Sequence, residues 1–410
     1  MPNRSYFDAI PQAGAGPIPQ PAAASHTRVP VEVLTLFGEA EPVWRKMVQQ
    51  GAMCSGYQHY SWMSNWWNHI GNAKEAAPHI AVLRNETGEP LLLLPLLRKQ
   101  LGPIHVGLFI GGKHTNFNLP IWQPELLKQP ATRLRKLIDG MRTQGPRIDL
   151  LILLNQPAAW RGAANPMMQL PHTASPSQAY GGGLHGDFEA LRKERMGSSS
   201  RKKLGQKERQ LGAAVGPVSY LRAQTAAEVD QVLEVFFKQK AARMHELGLS
   251  DAFDAPGVKE FVSAAAHEID ADTGEPVIEL YAALAGDTII ATFGGIVADG
   301  RFSGMFNSMA GAGFRDYSPG ELLLSHVVKC CCERGFDRFD LGIGEAAYKK
   351  VYCKDTEALY DAVVPITPTG HVVAPFWRVG LAMKSKVKQS NTMLRAIRTV
   401  GQIMSRTTAP

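Results

Sequence analysis

The sequence predicts an α/β protein, an α+β mixed sheet built in two successive units. Three observations carry that expectation. Apolar residues make up 45% and charged residues 20% of the 410-residue chain, ordinary proportions for a globular protein with room for two domains. The second half reads as strand, two helices, three strands, helix, strand, helix, strand. A meander of antiparallel strands followed by a helical crossover to a parallel strand is unlike a doubly wound sheet. The first half roughly repeats the hairpin–strand–helix–strand portion of that order, as two similar units in tandem would.

Residues 1–28, rich in Pro, Ala and Gly, read as a flexible arm. The first unit, 29–175, begins with helices near Glu41–Gln50 and Tyr60–Ile70. A hairpin follows, His79–Leu83 and Leu91–Leu97 about the turn Asn85-Glu86-Thr87-Gly88, and then a strand at His105–Ile110. The polar loop 111–116 comes next, then a helix at Ala131–Arg142 and an apolar strand at Ile148–Leu154. Pro, Gly, Ser and Ala crowd residues 155–195, which read as the connection between units, with Gly181–Gly183 its most flexible point.

The second unit, 176–370, opens with a basic helix at Ser199–Leu211 and a strand at Val218–Arg222. Thr225 should cap a long helix starting at Ala226, and a helix at Val258–Ile269 follows. Strands at Val277–Leu284, Thr288–Val297 and Arg301–Met309 are separated by Ala285-Gly286-Asp287 and Asp299-Gly300, both hairpin chemistry. A helix from Pro319 to Arg334, a strand at Phe336–Leu341, a short helix at Glu345–Cys353 and a strand at Leu359–Val364 complete the unit.

The net charge of +7 is unevenly placed. From Ala362 to Pro410 there is no Asp or Glu, while Arg378, Lys384, Lys386, Lys388, Arg395, Arg398 and Arg406 account for the whole excess. The body is therefore neutral and residues 371–410 form a basic tail. Its apolar residues, Phe376, Trp377, Val379, Leu381 and Met383 and then Met393, Leu394, Ile397 and Val400, fall near helical spacing. Peripheral contact with an anionic membrane is one expectation for this tail, and packing on the protein's own body is the other.

Several function classes lack their signatures. The most apolar run, Leu91–Leu97, falls far short of the roughly 20 residues that span a bilayer. With no signal-peptide pattern, a cytoplasmic location is expected, peripheral to the inner membrane if the tail binds lipid. The five cysteines, three of them in the run Cys330–Cys332, show no metal-ligand spacing and read as packed free thiols, so no metal is expected. Nucleic acid is not an expected partner, because the basic helix at 199–211 interleaves no aromatics with its cations. Gly342-Ile343-Gly344 follows a strand but lacks the βαβ continuation of a dinucleotide site.

The segment Arg315-Asp316-Tyr317-Ser318-Pro319-Gly320-Glu321 joins a strand to a helix. Pro319 suits the first helical position, and the free amides of the helix start favour an anion. Gly320 lets a ligand approach the backbone, and Arg315 can reach a phosphate. The same residues also spell a capping box, in which Ser318 and Glu321 would consume those amides.

The spacing Arg-x-x-Ser-x-Gly resembles the (Arg/Gln)-x-x-Gly-x-(Gly/Ala) signature of GNAT N-acetyltransferases, with Ser318 in place of the first glycine. The run Tyr317–Leu323, then Gly335–Glu345, then Tyr348-Lys349 resembles the acetyltransferase branch named for the cellulose-biosynthesis protein CelD, with Leu341 where Phe is usual. That branch is similar to the FemAB aminoacyltransferases. The resemblance covers roughly Ser199–Ala362 and implies two GNAT-like domains in tandem, the second catalytic.

It also implies a reaction and its residues. An acyl group would pass from acyl-CoA or acyl carrier protein to an amine or hydroxyl, directly and with no tightly bound cofactor. The carrier site would comprise Asn307, Arg315, Tyr317, Ser318, Gly320 and Lys349, with the pantetheine arm paired to the backbone near Phe306–Met309. Tyr348 or Tyr352 would protonate the departing thiolate, and Asp340 or Glu345 would take the acceptor's proton. The rivals are a FemAB-type transferase fed by aminoacyl-tRNA and a non-catalytic factor in polysaccharide assembly.

Overall fold

The computed structural model describes residues 31–73, 75–344 and 349–389. The expected arm at 1–28, Glu345, Tyr348 and the end of the tail lie outside the described residues.

The first half contains β1 (Val31–Leu34), α1 (Glu41–Gln49), α2 (Tyr60–Trp66), β2 (Ala76–Arg84), β3 (Pro90–Leu101) and β4 (Ile104–Phe109). The short β5 (Ile121–Trp122), α3 (Pro130–Thr143) and β6 (Leu150–Pro157) follow. A small ribbon of β7 (Ala159–Trp160) and β8 (Ala163–Ala164) precedes β9 (His172–Gly183). Local chemistry accounts for these elements. The Asn85 side chain accepts from the backbone of Thr87 and Glu89 and closes the β2–β3 turn. The Leu91–Leu94 run is buried throughout, as a central strand covered on both faces requires.

The second half begins with α4 (Phe188–Arg195), α5 (Ser198–Ala214) and β10 (Val218–Arg222). Next come α6 (Ala226–Glu246), α7 (Val258–His267), β11 (Glu279–Ala285), β12 (Thr288–Ala298) and β13 (Arg301–Met309). Then follow α8 (Pro319–Glu333), β14 (Arg338–Ile343), α9 (Lys349–Tyr352), β15 (Asp355–Pro365) and α10 (Pro368–Gln389). Thr225 caps α6 in a full capping box with Glu228.

The strands form one sheet in the order β1-β2-β3-β4-β6-β15-β9-β14-β13-β12-β11-β10, with β5 beside β3. Each half contributes an antiparallel meander and one parallel pair, β4 with β6 and β13 with β14. This is the repeat of two similar units that the order of elements in the sequence suggests. Their closing strands are exchanged: β9 of the first half pairs with β14 of the second, and β15 pairs with β6. The two closing strands also pair with each other.

This exchange corrects the expected connection at 155–195. Gly181–Gly183 is not a flexible point but part of β9 at the middle of the sheet, and the expected boundary between 175 and 176 falls inside that strand. A Cβ on Gly182 would lie 2.8 Å from the Tyr352 carbonyl oxygen. Gly182 allows the backbone at Tyr352 to approach closely. Cys331 and Cys332 are buried on α8, and burial raises the pKa of both thiols, so they act as packing groups.

Candidate functional site

Two parallel strands that separate part-way along create a place for an extended ligand. β13 and β14 pair in register only over Arg301–Ser303 and Arg338–Asp340. Beyond Ser303 the two strands no longer pair, while β14 stays paired with β9 from Arg338 to Ile343, with a shift of register after Asp340. β13 also bulges against β12 where Gly294 faces Phe306 and Gly295 faces Gly304, which leaves Met305 as the extra residue.

A side chain of the first half bridges the base of this splay. Asn116, from the polar loop after β4, donates to the Gly304 carbonyl at 3.2 Å and accepts from the Ile343 amide at 3.2 Å. Its Nδ2 also donates to the Tyr57 hydroxyl at 2.6 Å. Gly342, at φ +65°, is required beside it, since a Cβ there would meet Asn116 Nδ2 at 2.1 Å.

At the far end of β13 the chain passes through Arg315–Tyr317 into α8. Ser318 adopts a left-handed backbone, φ 54° and ψ 52°, and makes no side-chain cap to the helix. The capping box expected as the alternative is therefore absent. Left-handed backbone favours glycine, the residue that the signature it resembles has where this chain has Ser318. The Ser318 hydroxyl instead accepts from Lys207 Nζ of the basic helix α5 at 2.7 Å.

A cleft of about 660 Å³ opens here, walled by α6, the adjoining ends of β12 and β13, and the start of α8. Four of the expected carrier residues, Asn307, Arg315, Ser318 and Gly320, line it together. Arg315 forms an ion pair with Glu246 of α6, which Arg243 also contacts at 3.0 Å. Tyr317 is not among the lining residues and packs instead against the apolar cluster under α8.

The remaining expected residues are used differently. Asp340 is fully buried, and its Oδ2 accepts from Arg301 Nε at 2.7 Å and Ser303 Oγ at 2.6 Å. Its Oδ1 accepts from the Gly342 amide at 3.0 Å. A carboxylate so engaged, facing a buried guanidinium, holds β13 to β14 and is not a free base. Lys349 donates to the Leu341 carbonyl at 2.7 Å and the Ile343 carbonyl at 2.9 Å, closing the end of β14 rather than lining the cleft. Tyr352 donates to Ser325 Oγ of α8 at 2.9 Å inside the same apolar cluster, and burial raises its pKa. It therefore sits away from the cleft, because the short helix α9 packs against β9.

Other participants went unseen in the sequence. The cleft floor carries a polar chain in which Ser308 Oγ donates to Gln239 Oε1 at 2.7 Å and lies 2.7 Å from Thr292 Oγ1. A usable signal existed for Gln239: with Val235, Ala242 and Glu246 it repeats on one face of α6, and all four line the cleft. Nothing in the local sequence marks Asn116, and nothing singles out Lys207 among the cations of the basic helix; both roles arise from contacts more than a hundred residues away.

A second buried cluster joins the halves. His59 Nδ1 lies 2.8 Å from Asp270 Oδ2, with Cys54 as its other polar neighbour. One ligand atom from each of His59, Asp270 and Asp272 falls within 4.8 Å of the others. Arg45 Nη1, 3.0 Å from Asp272 Oδ2, already supplies a cation there.

Residues 198–350 match the family model described as acetyltransferase (GNAT) domain. No curated protein sequence matches the chain. Among solved structures, the crystal structure of FemX is similar at 10% identity and a TM-score of 0.48, over 78% of this chain and 99% of that one. The C-terminal domain of a putative lysylphosphatidylglycerol synthetase from Agrobacterium fabrum is similar at 11% identity and a TM-score of 0.45, over 83% and 96%. A tandem GNAT protein from the clavulanic acid biosynthesis pathway is similar at 10% identity and a TM-score of 0.42, over 83% and 99%.

Proposed function

We propose that this chain transfers an acyl group from a thioester carrier, acyl-CoA or an acyl carrier protein, directly to an amine or hydroxyl acceptor. The observation that carries the reading is the splay of β13 from β14, which opens toward a helix start with a left-handed Ser318, inside the region that matches the acetyltransferase domain. The carrier's phosphates would meet the amides at the start of α8, with Lys207 and Arg315 as counter-charges. The arm would lie along β13 from Asn307 inward. Asn116 would stop it at Gly304, placing the thioester carbonyl near the bulge at Met305. Arg315 would exchange Glu246 for phosphate, an exposed pair that costs little to break.

The site itself provides the test. A Cβ on Gly320 meets nothing nearer than Met309 Cε at 4.0 Å, so Gly320→Ala should fold and bind normally. Gly320→Val adds bulk at the helix start and should weaken coenzyme A binding by about tenfold or more, read by calorimetry. Equal affinities of valine and glycine forms would move the carrier elsewhere. A tRNA-fed transferase would instead bind aminoacyl-tRNA and show no saturable response to coenzyme A.

Proton donation to the thiolate falls to Tyr348 in this reading, since Tyr352 is engaged by Ser325 behind α8. Tyr348→Phe should lower turnover by about 10²–10⁴-fold with carrier affinity unchanged, the usual range for a general acid. Tyr352→Phe should lower turnover by less than about threefold on the same basis. The reverse ranking in steady-state kinetics would exchange the two roles.

A further inference from the structure

α10 has two apolar faces, and the body of the protein covers only one. Val373, Ala374, Trp377 and Leu381 pack on the outer cluster of Ile104, Val106, Leu150, Ile152 and Val363. On the opposite side Val372, Phe376, Val379 and Met383 recur at spacings of four, three and four, which sets them in one row along the helix. They are 69, 74, 59 and 61% exposed. The core-packing expectation for this segment thus explains the first face and leaves the second unexplained. Single exposed apolar side chains are common, but a continuous row of four on one helix marks a contact surface.

The charge of the segment that carries the row selects the occupant. From Ala362 to Pro410 there are seven Lys and Arg and no Asp or Glu. A second copy of the same face would bring like charges together across a two-fold axis. Folding residues 390–410 back onto the row would add three further cations to the same helix. An anionic bilayer surface complements the charge and accepts the apolar row at the depth of its acyl boundary. Among the described residues no helix is long and apolar enough to cross a membrane, so the contact would lie in the plane of the surface.

We propose that the outward face of α10 docks this protein on an anionic lipid surface, with Phe376 and Met383 entering the acyl boundary and the basic tail held at the headgroups. The full chain is tested by co-sedimentation with vesicles of phosphatidylcholine alone and with about one-third phosphatidylserine. Pelleting is expected with the anionic vesicles only, and release as salt rises through the range that screens surface charge. The double variant Phe376→Ser, Met383→Ser changes only exposed positions and should keep the wild-type melting temperature while its vesicle affinity falls by about tenfold or more. Equal affinity of variant and wild type, or no pelleting of the full chain at low salt, overturns the proposal. So does a wild-type dimer in gel filtration that the double variant disperses without lipid.

Discussion

Replacing Asp340 with alanine is expected to lower folding stability by about 3–5 kcal/mol, the usual cost of removing one partner from a buried ion pair. The carboxylate is fully buried and receives donors from Arg301, Ser303 and the Gly342 amide. Without it, the Arg301 guanidinium stays buried against the rings of Phe117 at 4.8 Å and Trp160 at 4.1 Å, with Glu357 3.5 Å away as its remaining carboxylate. Asp340→Asn keeps an acceptor but loses the charge, so it should destabilise less than alanine. Urea denaturation followed by fluorescence reads both variants. A shift below about 1 kcal/mol for alanine would mean that the pair does not hold the strands. The same pair of variants decides the alternative chemical role. A free base replaced by Asn would leave stability nearly unchanged and abolish turnover, whereas a strand-holding group should lose stability first.

His59→Gln should cost about 3–5 kcal/mol on the same grounds, and it should also remove a pH dependence that the wild type shows. His59 and Asp270 are both buried and bonded at 2.8 Å. Burial alone would lower the His59 pKa, but hydrogen bonding to Asp270 and Cys54 outweighs it and raises the value from 6.5 to about 10. Burial would raise Asp270, and the bond to His59, the charge of His59, the Asp272 amide and the Ser61 hydroxyl together outweigh that and lower it. For the raised histidine, the stabilisation is complete below pH 6.5 and is lost as pH climbs to about 10. For the depressed carboxylate, it is present above the ordinary carboxylate pKa and is lost as pH falls through the folded value. The pair therefore contributes most in the weakly acidic range, and wild-type stability should decline from pH 6.5 toward 10. A His59→Gln profile parallel to the wild type over that window would show that this histidine does not carry the decline.

The cluster matters beyond its energy because it links α2 of the first half to the segment after α7 of the second. With the exchanged strands β9 and β15 and the Asn116 bridge, it makes the halves interdependent. Loss of His59 should therefore loosen the base of the splay as well as the first unit.

Local chemistry wrote much of this molecule into the sequence. The periodicity of α6, the Thr225 capping box, the turns at Gly286-Asp287 and Asp299-Gly300 of the β11–β13 meander and the Pro319 helix start depend on residues within a few positions of one another. Hence the α/β order and the parallel crossover from β13 to β14 were legible in the residues themselves, while Asn307, Arg315, Ser318 and Gly320 were named through the resemblance of the motif, and the fold brings them to one cleft. The tertiary structure alone decided the rest. Whether Gly181–Gly183 is a hinge or a central strand depends on a backbone 170 residues away pressing against Gly182. Whether Ser318 caps its helix or meets Lys207 depends on where α5 docks. Whether Asp340 is a base or a tie depends on Arg301 lying across from it in register. In each case the residue type permits both outcomes, and the choice is made by burial and by distant partners that a one-dimensional pattern cannot bring together.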